Sequence, residues 1–170
     1  MWMLARLTDG ARVVIRQIRP TDKRMLSRGL ELLSEESRRR RFLSAKPRFS
    51  QAELRYLTEV DGDRHFALVA VLADRLDHVV GVARVVRLPG DPATADAAIV
   101  VGDPWQRRGL GKRLALLLAD AARDRGVRRF SATMLSDNPA ALALMRTLAA
   151  RLEGGEHTDG VRELVADLAA

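Results

Sequence analysis

Residues 100–113, V-V-G-D-P-W-Q-R-R-G-L-G-K-R, place three glycines and four cations where an apolar strand pattern gives way to a helical one. That combination binds anions. The first N–H groups of a helix have no acceptor inside it and together carry about half a unit of positive charge, so a phosphate is stabilised there. Gly109 and Gly111 lack the side chains that would hold a ligand off the backbone. Arg107, Arg108, Lys112 and Arg113 add formal charge around the same spot. A P-loop is excluded, because it needs Gly, four residues, then Gly-Lys-Ser/Thr, and Gln106 and Arg113 fill its first and last places. A dinucleotide fingerprint is excluded too, since Leu114 stands where its third glycine belongs.

A second candidate is Asp96, a lone acid inside T-A-D-A-A-I-V-V. Charged groups are rarely buried unpaired, so this carboxylate either has a role or is a strand-start residue paired to an arginine. Burial would raise its pKa. His65 titrates near neutrality when unperturbed; it is either a base or a structural histidine. Glu59 and Asp61 precede it and could collect a cationic substrate. His78 is expected in a turn and His157 lies near the end; neither is assigned chemistry. Tyr56, the single tyrosine, is expected to serve packing.

The elements that must hold these residues follow from periodicity. Residues 11–18 read as a strand. Pro20-Thr21-Asp22 reads as a helix start with Thr21 or Asp22 as cap, followed by Met25, Leu26, Leu30 and Leu33 at helical spacing. Ser34-Glu35-Glu36 starts a second helix that carries Arg38, Arg39, Arg40 and Arg41 in its last turns, where cations suit the dipole. Those arginines read as a solvated face, or as a docking patch for an acidic partner or a coenzyme 3′-phosphate. Ser50-Gln51-Ala52-Glu53 is a capping box. Residues 66–72 and 79–86 are strands of a hairpin with its turn at 74–78, residues 88–93 a loop, and 95–101 the strand feeding the cradle. Leu110, Leu114, Leu117, Leu118 and Ala121 mark a helix closed by Gly126. Residues 129–135 form a strand. Asn138 caps a helix with Pro139 at its first position. Weak strands at 151–153 and 161–168 close the chain, with the turn at 154–155 or 158–160. This order predicts an α/β fold: one mixed sheet with helices on both faces, in a single domain over residues 1–170.

Composition narrows the function. The chain has 170 residues, 29 Lys and Arg against 22 Asp and Glu, a net charge of +7 and no cysteine. Disulfides, thiolate metal sites and a catalytic cysteine are excluded, and no metal is expected. The basic residues are spread among acidic ones and aromatics are 4%, too few for a base-stacking surface, so nucleic acid is not the expected partner. No apolar run reaches the roughly 18 residues of a membrane span, and no signal-peptide layout opens the chain. A cytoplasmic location is the default.

Q-R-R-G-L-G at residues 106–111 matches the Q/R-x-x-G-x-G/A signature of the GNAT superfamily of acyl-CoA N-acyltransferases. With N-P-A-A-L-A-L-M and the element order, nearly the whole chain resembles a GNAT domain. Several stretches are similar to the catalytic domain of bacterial cyclic-nucleotide-regulated protein lysine acetyltransferases: S-E-E-S-R-R-R-R-F-L-S-A, L-T-E-V-D-x-D-R-H-F, A-R-V-V-R, D-P-A-T-A-D-A-A-I-V-V and M-L-S-D-N. That branch carries an N-terminal cyclic-nucleotide domain for which this chain leaves no room, so regulation is expected to be lost or to come from elsewhere.

The resemblance implies acetyl-CoA as co-substrate. The strand before the cradle splays from its neighbour, Val100 and Val101 offer main chain to the pantetheine arm, and the diphosphate rests on the stretch Gln106, Arg107, Arg108, Gly109, Leu110, Gly111 and Lys112. Asn138 contacts the pantetheine region, and Ala141, Leu144 and Met145 line it. The branch places a glutamate base where this chain has Asp96, one methylene shorter, so a water is expected to mediate; His65 is the second candidate base. Met145 stands where many members carry a proton-donating tyrosine. The leading expectation is transfer of acetyl to a protein lysine. Others are a small-amine acetyltransferase, a coenzyme-binding module without turnover, and a basic nucleic-acid binder. A homodimer stays open.

Overall fold

The apolar alternation decides which side of the sheet each strand residue covers. The computed structural model describes residues 2–169, apart from the side chains of residues 156 and 157; the His157 side chain therefore lies outside what is described. β3 (His65–Leu72) is buried along its whole length, and its side chains divide by parity. Phe66, Leu68, Ala70 and Leu72 enter one core; Ala67, Val69 and Val71 enter a second. A strand buried on both faces needs helices on both faces, which is the arrangement found.

Among the described residues, the other strands are β1 (Trp2–Arg6), β2 (Arg12–Gln17), β4 (Arg75–Leu88), β5 (Asp91–Val101), β6 (Arg129–Leu135), β7 (Ala149–Thr158) and β8 (Val161–Leu168). The sheet order is β1-β2-β3-β4-β5-β6-β8-β7, antiparallel except for β5 beside β6. The helices are α1 (Lys23–Glu31), α2 (Glu35–Phe42), α3 (Gln51–Thr58), α4 (Leu110–Arg123) and α5 (Pro139–Leu148). Leu110, Leu114 and Leu118 form a fully buried stripe on α4, each contributing about 1.5–3 kcal/mol by burial. Met25, Leu26 and Leu54, from α1 and α3, fill the opposite core.

The predicted caps at Ser50 and Asn138 form, and Ser34, at the predicted start of α2, caps as well. Ser34 Oγ accepts from the Ser37 amide, Ser50 and Glu53 bond reciprocally, and Asn138 Oδ1 accepts from the Ala141 amide. The cap expected from Thr21 or Asp22 does not. A 3-10 turn over Pro20–Asp22 precedes α1, and the Asp22 carboxylate is drawn to buried Arg16 at 2.7 and 2.8 Å and to the Arg19 amide.

Both expected loops are shorter than predicted. The β3–β4 turn is Ala73-Asp74 alone, so His78 lies in β4. The β4–β5 turn is Pro89-Gly90. Pro92 sits inside β5 at the register shift between Arg87 and Leu88, where a residue without an N–H is tolerated. β1 has no counterpart in the prediction, and β7 runs through Gly154-Gly155 to a turn at Asp159-Gly160.

One break in the sheet matters for function. β5 pairs with β6 only at Thr94, Ala95 and Asp96, while its pairing with β4 continues to Val101. Beyond Asp96 the two parallel neighbours part, and that edge of β5 is left open.

Candidate active site

At the end of the open edge a 3-10 turn, Asp103–Trp105, brings the chain round to Gln106. Nε2 of the Gln106 side chain donates to the Val101 carbonyl at 3.0 Å and to Ser37 Oγ at 3.1 Å, so it pins the strand end. The backbone then reverses hand twice, with φ of 60° at Arg107 and 81° at Gly109. Such alternation turns successive N–H groups into one concavity. Among the described residues, the amides of residues 107–112 make no hydrogen bond to another part of the protein. Arg107 is a non-glycine residue held in left-handed conformation, a strain that clusters at functional sites.

A cleft of about 420 Å³ joins this nest to the gap between β5 and β6, within the 300–1,000 Å³ range of small-ligand sites. Val100, Val101, Gln106, Arg107, Gly109, Gly111, Lys112, Asn138, Ala141, Leu144 and Met145 line it, so the structure brings together most of the expected coenzyme residues. Two do not contribute side chains. Leu110 is fully buried in the core. Arg108 pairs with Asp9 and stacks over Trp105 at 5.1 Å. What these two offer the cleft is their amides.

The far wall adds Ser37, which the cofactor reading lacked, to arginines of the run that reading had offered as a coenzyme patch. Ser37, Arg40 and Arg41 of α2 line the cleft, so the arginine run is only partly a solvated face. Arg39 is exposed and Arg38 caps the Leu33 and Glu31 carbonyls. Asp103 anchors this helix, accepting from the Ser34 amide at 2.9 Å, Ser34 Oγ at 2.7 Å and Ser37 Oγ at 2.8 Å. The sequence signal for this contribution was the Ser34 cap followed by an unusually dense cation run.

On the opposite face of β5, cross-strand register aligns His65, Val86 and Asp96 in one row. Asp96 opens to solvent, yet its surroundings desolvate the carboxyl and raise its pKa; Glu163 adds to the rise and Arg41 opposes it. His65 is buried and its Nε2 lies 2.8 Å from Arg84 Nη1. Burial, then the Arg84 charge, lower its pKa to about 4. Tyr56 is 57% exposed and packs on His65 with ring centroids 4.8 Å apart. Glu59 pairs with Lys23 at 2.6 Å. Asp61 accepts from the Asp63 and His65 amides. Both acids are thus engaged within the fold.

An open mixed sheet, parted between parallel neighbours beside a nest of unpaired amides, defines the GNAT class of acyltransferase folds. The chain belongs to the Acetyltransferase (GNAT) family, whose model matches residues 30–149. It is 38% identical over 137 residues to Acetyltransferase Pat of Mycolicibacterium smegmatis, which is 80% of this chain and 40% of that relative. The chain thus spans less than half of that protein. The GNAT domain of S. lividans PAT superposes with a TM-score of 0.87 at 28% identity, covering 98% of this chain and 97% of that one. The fold is shared too with yncA of Salmonella typhimurium, solved with acetyl-CoA, at a TM-score of 0.67 and 17% identity over 92% of this chain and 94% of that one.

Proposed function

We propose that this chain, as one domain over residues 1–170, is an acetyl-CoA-dependent N-acetyltransferase that acetylates a lysine ε-amine of a protein in the cytoplasm. The observation that carries the reading is the continuity of three features: an open edge of β5, a nest of free amides and one cleft joining them. The amides of residues 107–112 would hold the diphosphate, with Lys112 and Arg107 beside it. The main chain of residues 97–101 would take the pantetheine arm as a surrogate strand, and Met145 and Ala141 would close the far side. When bound, the coenzyme supplies the thioester.

A lysine amine of pKa about 10.4 arrives cationic and must lose a proton before it can attack. Asp96 is the group to take it: its pKa is raised by burial, and its exposure lets a water relay the proton over the missing methylene. The freed nitrogen forms a bond to the thioester carbon, the nitrogen gives its second proton to water, the carbon–sulfur bond breaks, and the electron pair leaves on sulfur. A thiol with a reference pKa of about 8.5 departs adequately as thiolate, which suits a site where Met145 offers no proton. His65 cannot serve as the base, because its Nε2 accepts from Arg84. The open setting of Asp96 favours an acceptor presented on a macromolecular surface. No helix among the described residues is long and apolar enough to cross a membrane.

The test is incubation of the protein with acetyl-CoA and a purified acyl-CoA synthetase, read by mass spectrometry for new acetyl-lysine. A parallel panel of small amines is read by thiol release. Acetyl-lysine on the synthetase supports the proposal; turnover confined to small amines, or none at all, defeats the protein-lysine part.

A further inference from the structure

Arg84 is 6% exposed on the face of β4 that Asp96 shares. Its guanidinium donates to His65 Nε2 at 2.8 Å and to the Leu57 carbonyl at 3.2 Å. Neither acceptor carries a formal charge, although Leu57 lies in the last turn of α3, where the helix dipole offers some compensation. Arg41, at the end of α2, rests over the Phe42 ring at 4.9 Å and feels Asp96 without forming an ion pair among the described residues. The two cations also act on each other: burial first, and then Arg41, pull the Arg84 pKa down to about 10. Buried charges are normally paired, and two like charges sharing one site are costly unless an anion joins them.

The space for that anion is present. A pocket of about 70 Å³ lies under α1 and α2 against β4, and Arg41 and Arg84 are its only charged lining residues. The rest of its wall is aliphatic, aromatic or glycine. A single water needs only about 10–15 Å³ of such volume, so a carboxylate with its methylene can enter. Arg41 and Val100 line both this pocket and the coenzyme cleft, so the two cavities meet beside the proposed site of transfer.

We propose that this pocket takes a carboxylate belonging to the acceptor: the target lysine is accompanied by an aspartate or glutamate whose side chain docks between Arg41 and Arg84. This deepens the protein-lysine reading and rests on it. Val100 lies four residues from Asp96 along β5, about 13 Å at 3.3 Å per residue. An extended acceptor segment would therefore carry its acid within about four residues of the lysine. Arg41 is the reader, since a guanidinium engages a carboxylate with two parallel bonds, and Arg84 backs it from below.

The experiment is a peptide scan. Each peptide holds one lysine and one glutamate, moved from four positions before the lysine to four after, against matched glutamine peptides. At one or two positions glutamate should raise kcat/KM about tenfold or more. The preference should vanish in Arg41→Gln and invert, with glutamine favoured over glutamate, in Arg41→Glu. Because each ratio is taken within one enzyme, any loss of coenzyme affinity cancels. Equal rates for glutamate and glutamine at every position, or a preference that survives Arg41→Gln, overturn the inference. If no peptide is acetylated, the protein-lysine reading fails separately, and glutarate decides the pocket. A saturable rise in Tm with glutarate in the wild type and none in Arg41→Gln upholds a carboxylate site. No rise, or an equal rise in both, refutes it.

Discussion

The Arg84 guanidinium donates through Nη1 to Nε2 of His65 over 2.8 Å, and a guanidinium has no lone pair to return. The imidazole is therefore neutral, with its proton on Nδ1. Its low pKa, about 4, has burial as the larger cause and the Arg84 charge as the second.

This pair predicts acid sensitivity. Above pH 6.5 the imidazole is neutral in both the folded and the unfolded chain and adds nothing to the pH dependence. As the pH falls from 6.5 toward 4, the unfolded chain binds a proton that the folded chain refuses, so stability is lost across that window. The loss should reach about 3 kcal/mol. His65→Gln keeps an acceptor for Arg84 but cannot titrate, and should flatten this limb. Urea midpoints for both proteins between pH 7.5 and 4 check it; parallel curves would remove His65 as the cause.

Asp96→Asn should lower kcat by about 10²–10⁴-fold while acetyl-CoA affinity, measured by calorimetry, stays near wild type. Because the carboxyl pKa is raised, kcat/KM should fall on acidification with an apparent pKa above the ordinary value of about 3.9. Asp96→Glu should retain turnover. Wild-type rates in Asp96→Asn would take this carboxylate out of the chemistry.

The two left-handed residues of the nest should respond with opposite signs. Arg107→Gly relieves a conformation that costs an L-residue about 1–2 kcal/mol, partly offset by glycine's greater freedom when unfolded. A rise in Tm of about 1–3 °C is expected. Gly109→Ala forces a methyl onto φ of 81° and should lower Tm, although its Cβ meets only Thr8 Cγ2 at 3.6 Å. Thermal melts of the two variants measure this, and a fall in Arg107→Gly would contradict it.

Asp103→Ala removes the acceptor of three hydrogen bonds to the start of α2. Arg40 and Arg41 should then lose their fixed positions in the cleft, raising the KM for acetyl-CoA several-fold at about 1–3 kcal/mol of stability. Asp103→Asn keeps an oxygen for the serine hydroxyls and should recover part of the loss. Identical KM values in all three proteins would separate α2 from coenzyme binding.

Much of this architecture could be read from the chain because its signals are local. Ser34, Ser50 and Asn138 announce helices through side-chain acceptors three residues from their targets, and β6 is bounded as the apolar pattern requires. The cradle could be read for the same reason, glycines and cations being contiguous there. β1 was hidden because it is a short edge strand whose exposed Trp2 and Leu4 are as apolar as the inward Met3 and Ala5, so the sequence shows no alternation. The hairpin turn looked long because Arg75 to Asp77 project beyond the core as exposed strand. Pro92 looked like loop because a proline is accommodated in a strand at a bulge, and the bulge in β5 at residues 92–94 shows only in its register with β4. The group formed by Arg41, Tyr56, His65, Arg84 and Asp96 was out of reach: it is assembled from two helices and three strands, and only register brings it together.

The parting of β5 from β6 after Asp96 has an evolutionary corollary. On the proposed reading, the donor is gripped by peptide groups, which almost any substitution leaves in place, whereas the amine is selected by side chains on the reverse of the same strand. Lineages could then exchange one acceptor for another by point changes at positions such as Arg84, which lines the acceptor-side pocket but not the coenzyme cleft, without ever surrendering the acyl carrier.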